Sequence, residues 1–192
     1  DRRDRHGARL RVWLLMLVDP SDRFGRGRDV CTMIVRTAQP EDVAALTALW
    51  HDGWQDAHGS LLPARLARHR TPDSFRDRLV RVLGHVRVVG PIGDPVGLCI
   101  VHDDELNQLY VSERARGKGV AAALLADAEA RIAARAYETA WLACAIGNDR
   151  AARFYEKHGW RRVGITTIRL DTPDGTIPIK KKKKKKQVLS DT

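Results

Sequence analysis

The segment Arg114-Ala115-Arg116-Gly117-Lys118-Gly119-Val120-Ala121 constrains this chain more than any other. It follows an extended stretch, Leu106-Asn107-Gln108-Leu109-Tyr110-Val111. It opens a helical stretch over 120–135, in which Val120, Leu124, Ala128 and Ile132 step by four. A strand, a basic turn with glycines and a helix together make an anion site. Glycine lets backbone N–H groups close on a phosphate, and a helix N-terminus adds partial positive charge. The pattern is Arg-x-x-Gly-x-Gly. It is neither the dinucleotide fingerprint nor the P-loop, since the further glycine of the first and the Gly-Lys-Ser/Thr of the second are missing. Backbone N–H groups from Arg116 to Ala121 are the candidate phosphate ligands, with Arg114, Arg116 and Lys118 adding charge.

The rest of the chain falls into place around that turn. Residues 34–38 alternate like a first strand. Pro40-Glu41-Asp42 opens a helix with Val43, Leu46, Leu49 and Trp50 at helical spacing. Pro63 and Pro72 start two more helical segments, the second carrying the stripe Phe75, Leu79, Val82, Leu83. Residues 86–89 and 96–101 read as strands joined by a Gly/Pro/Asp turn, and 105–111 as the next strand. Residues 139–146 are a continuous apolar run that suits a buried parallel strand. Residues 148–158 are helical, stopped by Gly159. Residues 160–170 form a strand, Thr172-Pro173-Asp174-Gly175 a hairpin turn, and a last strand starts near Thr176.

A second motif lies downstream: Asn148-x-x-Ala151-x-x-Phe154-Tyr155-x-x-x-Gly159-Trp160. The two motifs, at this separation and with these strands between them, resemble the GNAT superfamily of N-acetyltransferases over residues 33–179. The resemblance implies an α/β fold of the GNAT-like acyl-CoA N-acyltransferase type, a mixed central sheet with helices on both faces. It also implies acetyl-CoA as cosubstrate. One departure stands out: the family closes its sheet with a final strand, and from Lys180 onward no alternating apolar residues are present to build one.

Charge distribution bears on partners. The net charge of +10 looks like a nucleic-acid signal. However, residues 1–32 carry +3, residues 180–192 carry +6, and the body between them only +1. No specific nucleic-acid partner is therefore expected. Residues 1–32 are expected to be a lead outside the domain, with the ordered pattern starting at Met33. Their apolar run 12–18 is short and runs into Asp19-Pro20, a poor match to a signal peptide. No apolar run approaches the about 18 residues that span a membrane. Lys180 to Lys186 are expected to be a solvated tail, since like charges in a row repel; the alternative is an electrostatic tail for nucleic acid or anionic lipid. Cys31, Cys99 and Cys144 form no CxxC or disulfide framework, which fits a reducing cytoplasm. His51, Asp52, Asp56 and His58 match no helical metal spacing, and no metal is expected.

Acetyl transfer to an amine sets four demands. The ammonium must lose a proton, the developing oxyanion needs fixed donors, the departing thiolate benefits from a proton, and the reactants must be held together. By the resemblance, the backbone of Leu109 and Val111 pairs with the pantetheine arm, and an N–H near Val111 polarises the thioester carbonyl. Strands 105–111 and 139–146 would splay apart to admit it. Gly117, Gly119, Val120 and Ala121 would cradle the pyrophosphate. Tyr155 is the candidate acid for the thiolate, two helical turns beyond Asn148, with Ala151 leaving room between them; core packing is its alternative. Asn148 also suits an N-cap. Glu105 is the candidate base. Period two puts it on one strand face with Asn107, Leu109 and Val111, and a solvated strand-end carboxylate is its alternative. Trp50 and Trp54 fit core positions. The acceptor is expected to be a small-molecule amine, a free amino acid or polyamine among them. A protein N-terminus or lysine is the alternative, and a non-catalytic acyl-CoA sensor the rival. Homodimers are common in such folds, though no residue pattern here calls for one.

Overall fold

The structure, a computed structural model, describes residues 33–61 and 63–189. Its frame is a seven-stranded sheet in the order β1-β2-β3-β4-β5-β7-β6. The strands are β1 (Val35–Thr37), β2 (Val86–Val89), β3 (Gly97–His102), β4 (Glu105–Val111), β5 (Thr139–Ala145), β6 (Arg161–Thr172) and β7 (Gly175–Gln187). Helices α1 (Val43–His58), α2 (Ala64–Ala67) and α3 (Pro72–Val82) connect β1 to β2; α4 (Val120–Ala133) connects β4 to β5, and α5 (Asp149–Lys157) connects β5 to β6. Only β4 and β5 pair in parallel, so the sheet is mixed, as the motif order implied. The expectation for residues 1–32 lies outside the described residues. Among the described residues, no helix is long and apolar enough to cross a membrane.

Two cores sandwich the sheet. Leu46, Trp50, Trp54, Leu66, Phe75 and Leu79 from α1–α3 pack on one face. Val120, Leu124, Leu125, Ala128 and Ile132 of α4 pack on the other with Ala152 and Trp160. Among them, Leu46, Trp50, Phe75, Leu79, Val120, Leu124, Ala128 and Ile132 are positions that helical spacing marked as apolar stripes. The helix starts have local causes. Thr71 Oγ1 accepts from the Ser74 N–H at 3.3 Å, with Pro72 in the first turn of α3. Before α1, the fully buried Asp42 carboxylate accepts from Arg36 at 2.7 and 2.9 Å and from the N–H groups of Gln39 and Gly93, each at 2.8 Å. The Arg36 guanidinium, with those N–H groups, holds its pKa down at about 2.

The lysine run is not a tail. It forms the second half of β7, paired residue by residue with β5 on one side and β6 on the other. Tail reasoning failed because it left out what faces the run. Period two sends Lys182, Lys184 and Lys186 to the α4/α5 face, where each meets one carboxylate. Lys182 meets Asp149 at 3.6 Å, Lys184 meets Glu156 at 2.7 Å, and Lys186 meets Glu129 at 2.8 Å. On the opposite face the Lys183 ammonium lies 4.5 Å from the Trp141 ring centre. The aliphatic stems cover apolar surface while the heads find partners.

Lys184 is fully buried. Its partner Glu156 has 56% of its side chain exposed, so removing the lysine leaves a solvated carboxylate, whereas removing the glutamate strands a buried charge. Thermal unfolding is therefore expected to show Lys184→Met at or above the wild-type Tm and Glu156→Ala several degrees below it. The reverse order would show that the pair, rather than the strand backbone, holds β7 in place.

Candidate active site

The site begins with a pairing that stops. The parallel strands β4 and β5 share one register pair, Glu105 with Trp141. Trp141 anchors it twice, through its backbone N–H to the Asp104 carbonyl at 2.9 Å and its indole N–H to the Asp104 carboxylate at 3.0 Å. Beyond that point the strands part, as expected from the resemblance, and a cleft of about 540 Å³ opens between them.

The parted edge of β4 presents free backbone groups. The Ser112 N–H donates to the Val96 carbonyl at 2.9 Å, and Val111 stands opposite Gly97. In an antiparallel ladder this makes Val111–Gly97, and with it Leu109–Cys99, the pairs that do not bond each other. The N–H and C=O of Leu109 and Val111 therefore aim away from β3, into the cleft that both residues line.

At one end of the cleft lies the glycine turn. Gly117 and Gly119 have φ of +74° and +85°, a region that favours glycine, which explains why the turn needs both. Among the described residues, no side chain caps α4, so its first-turn N–H groups are left for a ligand. Gly117, Gly119, Val120 and Ala121 line this end, together with Arg116. Arg116 is held by Asp56 at 2.8 Å, and Asp56 also takes Arg150; these guanidinium groups, Arg150 foremost, lower the Asp56 pKa. Arg114 and Lys118, both expected here, do not line the cleft: Arg114 is turned to an ion pair with Asp94. An uncapped helix start, two positive-φ glycines and a bare strand edge fit the phosphates and amide-bearing arm of acetyl-CoA.

Helix α5 supplies the facing wall. Asn148, Ala151 and Tyr155 all line the cleft. Asn148 Oδ1 accepts from the Ala151 N–H at 3.0 Å, so Asn148 is the N-cap of α5 as well as a wall residue. Burial, with Cys144 nearby, drives the Tyr155 phenol above the ordinary tyrosine range and keeps it protonated.

Glu105 stands elsewhere than period two predicts. The β3–β4 register shifts at Asn107, so that Ile100 faces Gln108 while Val101 faces Leu106. This bulge flips the strand. Leu106, Leu109 and Val111 pack with the α4 core, whereas Tyr110 packs with the α1 core, and Gln108 accepts from the Trp50 indole at 3.3 Å. Glu105 therefore shares the α1 face with Gln108 and Tyr110 instead of the face of Leu109 and Val111. It sits half-buried at the closed end, beside the cleft lining, and burial raises its pKa.

Three further residues line this region: His58, in the stretch that the resemblance sets along the acceptor pocket, and Tyr110 and Lys181, whose side chains the sequence reading missed. His58 ends α1 and lines the cleft; burial, helped by the Lys181 charge, lowers its pKa to about 4, so its imidazole is neutral. Tyr110 lines the cleft so close to α1 that a Cβ on Gly53 would come within 2.7 Å of its ring. Lys181 lines it from β7. A signal for Lys181 was present: Ile177, Ile179 and Lys181 share one face by period two, and both isoleucines are buried against α1–α3. Trp50 and Trp54 are core residues.

The glycine turn yields a sharp test. At Gly119 a Cβ would meet only the Met33 methyl at 3.4 Å, so a side chain there is tolerated sterically but strained at positive φ, by about 1 kcal/mol or more. Gly119→Glu is expected to fold with a Tm lowered by a few degrees. A carboxylate among the N–H groups should weaken coenzyme A binding by roughly a hundredfold or more, measured by calorimetric titration. Unchanged affinity would remove the turn from the site.

Comparisons with known proteins agree with this geometry. A sequence comparison with curated proteins returned no match. Among solved structures, the chain is similar to a GCN5-related N-acetyltransferase from Rhodopseudomonas palustris, at 20% identity over 81% of this chain and 96% of that one, with a TM-score of 0.63. It is similar to a phosphinothricin acetyltransferase from Sinorhizobium meliloti in complex with acetyl-CoA, at 16% identity over 81% and 88%, with a TM-score of 0.60. A ribosomal-protein-alanine N-acetyltransferase from Brucella melitensis gives 19% identity over 81% and 99%, with a TM-score of 0.57. These likenesses show the fold, and their acceptors differ. In sequence, residues 43–160 match the acetyltransferase (GNAT) family. With more than half of the chain matched, and with both motifs on one cleft, the chain belongs to the GNAT family and is an acetyl-CoA-dependent acetyltransferase.

Proposed function

We propose that the protein acetylates the primary amine of a small molecule by direct attack within a ternary complex. The observation that carries this reading is the single cleft. It runs from the uncapped α4 turn, past the bare β4 edge, to the side chains of His58, Tyr110 and Lys181 on the α1 face. Two substrates entering from opposite faces meet at β4, and no covalent enzyme intermediate is needed. Cys144 is a buried thiol whose pKa burial raises, a poor nucleophile. The acceptor end is lined by the buried His58 and the half-buried Tyr110 and Lys181, a confined surface that favours a small amine over a protein segment. The free buried thiols Cys99 and Cys144 support a reducing, cytoplasmic setting.

Acetyl-CoA supplies an activated acetyl thioester. The N–H groups of Gly117, Gly119, Val120 and Ala121, with Arg116, hold its phosphates; Arg114 and Lys118 add only longer-range charge. The Leu109 and Val111 backbone holds the arm, and the Val111 N–H polarises the carbonyl. Asn148 and Ala151 shape the wall. Tyr155 keeps a proton at its hydroxyl for the thiolate. Glu105 takes the ammonium proton through a water, because it stands beside the cleft lining.

The pH profile follows from the direction of the Glu105 shift. A base must be ionised, so kcat/KM rises with pH through the Glu105 pKa, and burial puts that limb above the ordinary glutamate value of 4.5. Glu105→Gln is expected to remove the limb and lower kcat by roughly a hundredfold; Tyr155→Phe is expected to lower kcat by a similar factor. Both should leave acetyl-CoA affinity unchanged. Thiol release across a panel of amines measures this, and full activity in both variants would overturn these roles.

A further inference from the structure

The α1 face of the cleft holds more positive charge than the reaction described so far uses. Lys181 lines the cleft. Arg70, which follows α2, is 8% exposed, and its Nε has no hydrogen-bond partner among the described residues. Nη1 of Arg78 on α3 is likewise buried without a partner there. The Arg78 guanidinium lies 4.7 Å from the Trp50 ring centre and 5.3 Å from that of Phe75. The rings stabilise the cation but provide no counter-anion.

Arg70 and Arg78 do not line the cleft themselves; both guanidinium groups act electrostatically on Tyr110, which does. Arg70 also acts on Arg78 and on Lys181, in each case against the partner's positive charge. Carboxylates are scarce around them. Asp56 is taken by Arg116 and Arg150, and Asp104 binds the Trp141 indole. Glu105 is the carboxylate that acts on Lys181. Among the described residues, none of Lys181, Arg70 and Arg78 has a carboxylate at ion-pair distance. Three partly or fully buried cations thus lack a counter-anion at ion-pair distance, in surroundings where unpaired charge is costly.

We propose that the acceptor is an amine that also carries a carboxylate-class anion, as an amino acid does, and that Lys181 receives that anion while Arg70 and Arg78 add longer-range positive charge. This deepens the transferase reading and rests on it. An anion gives Lys181 a counter-charge and offsets the surplus charge. A polyamine or a lysine side chain would add positive charge to three cations and is disfavoured. The same positive field has a second effect: it disfavours the ammonium form of the incoming amine and so favours the free base that attacks.

The test is calorimetric titration of the full chain, first with coenzyme A and then, saturated with coenzyme A, with each of the common L-amino acids, their carboxamides, the corresponding decarboxylated amines and spermidine. At least one amino acid is expected to bind, with its amide and decarboxylated amine roughly tenfold or more weaker. Lys181→Met should erase most of that difference at unchanged coenzyme A affinity, and Arg70→Met serves as an independent second variant. Amides or spermidine binding as well as the acids would overturn the proposal, as would the absence of binding by every amine. The initial coenzyme A titration reports separately on the transferase reading, so the two failures are distinguishable.

Discussion

Two parallel strands that meet at Glu105 and Trp141 and then part are the constraint on which the rest of this molecule depends. A sheet opened at its centre exposes unpaired N–H and C=O groups, which is costly unless something occupies them. The fold manages this by fastening each strand on its far side. β4 is laced to β3, and β5 is paired over its whole length, from Thr139 to Ala145, with β7. The opening is therefore a fixed feature of the sheet. It leaves the Leu109 and Val111 backbone facing a cleft with a helix N-terminus at one end and Lys181 at the other.

This places an unusual demand on β7, which must be a central strand while carrying seven lysines. Backbone pairing on both sides gives it a strand's geometry irrespective of side-chain hydrophobicity. Alternation then sorts the lysines into two jobs. Lys182, Lys184 and Lys186 are matched by Asp149, Glu156 and Glu129. Of the others, Lys183 caps Trp141 at the closed end and Lys181 enters the cleft. A run that looks uniform in sequence is differentiated by what each position faces.

Much of this was legible beforehand where signals were local. The glycine turn, the Asn148–Trp160 segment and the apolar stripes of α1, α3 and α4 are fixed by residues a few positions apart, and the structure keeps them. The misreadings have long-range causes. The bulge at Asn107 depends on how β3 registers against β4, so period two put Glu105 on the wrong face. The lysine strand depends on carboxylates from α4 and α5, more than twenty residues away in sequence. Arg70 and Arg78 carry no local signal, because only the folded chain buries their donor atoms without partners among the described residues. Arg114 carries the right charge in the right motif, yet Asp94 draws it aside.

The central claim is that the bare β4 edge and the uncapped α4 start together bind acetyl-CoA. Backbone amide spectra of labelled protein, recorded as acetyl-CoA is added, test it most directly. The account predicts that the largest shifts fall on Leu109, Val111 and the amides from Gly117 to Ala121, with Leu109 and Val111 becoming protected from exchange. Saturable binding that left those amides unmoved would contradict it.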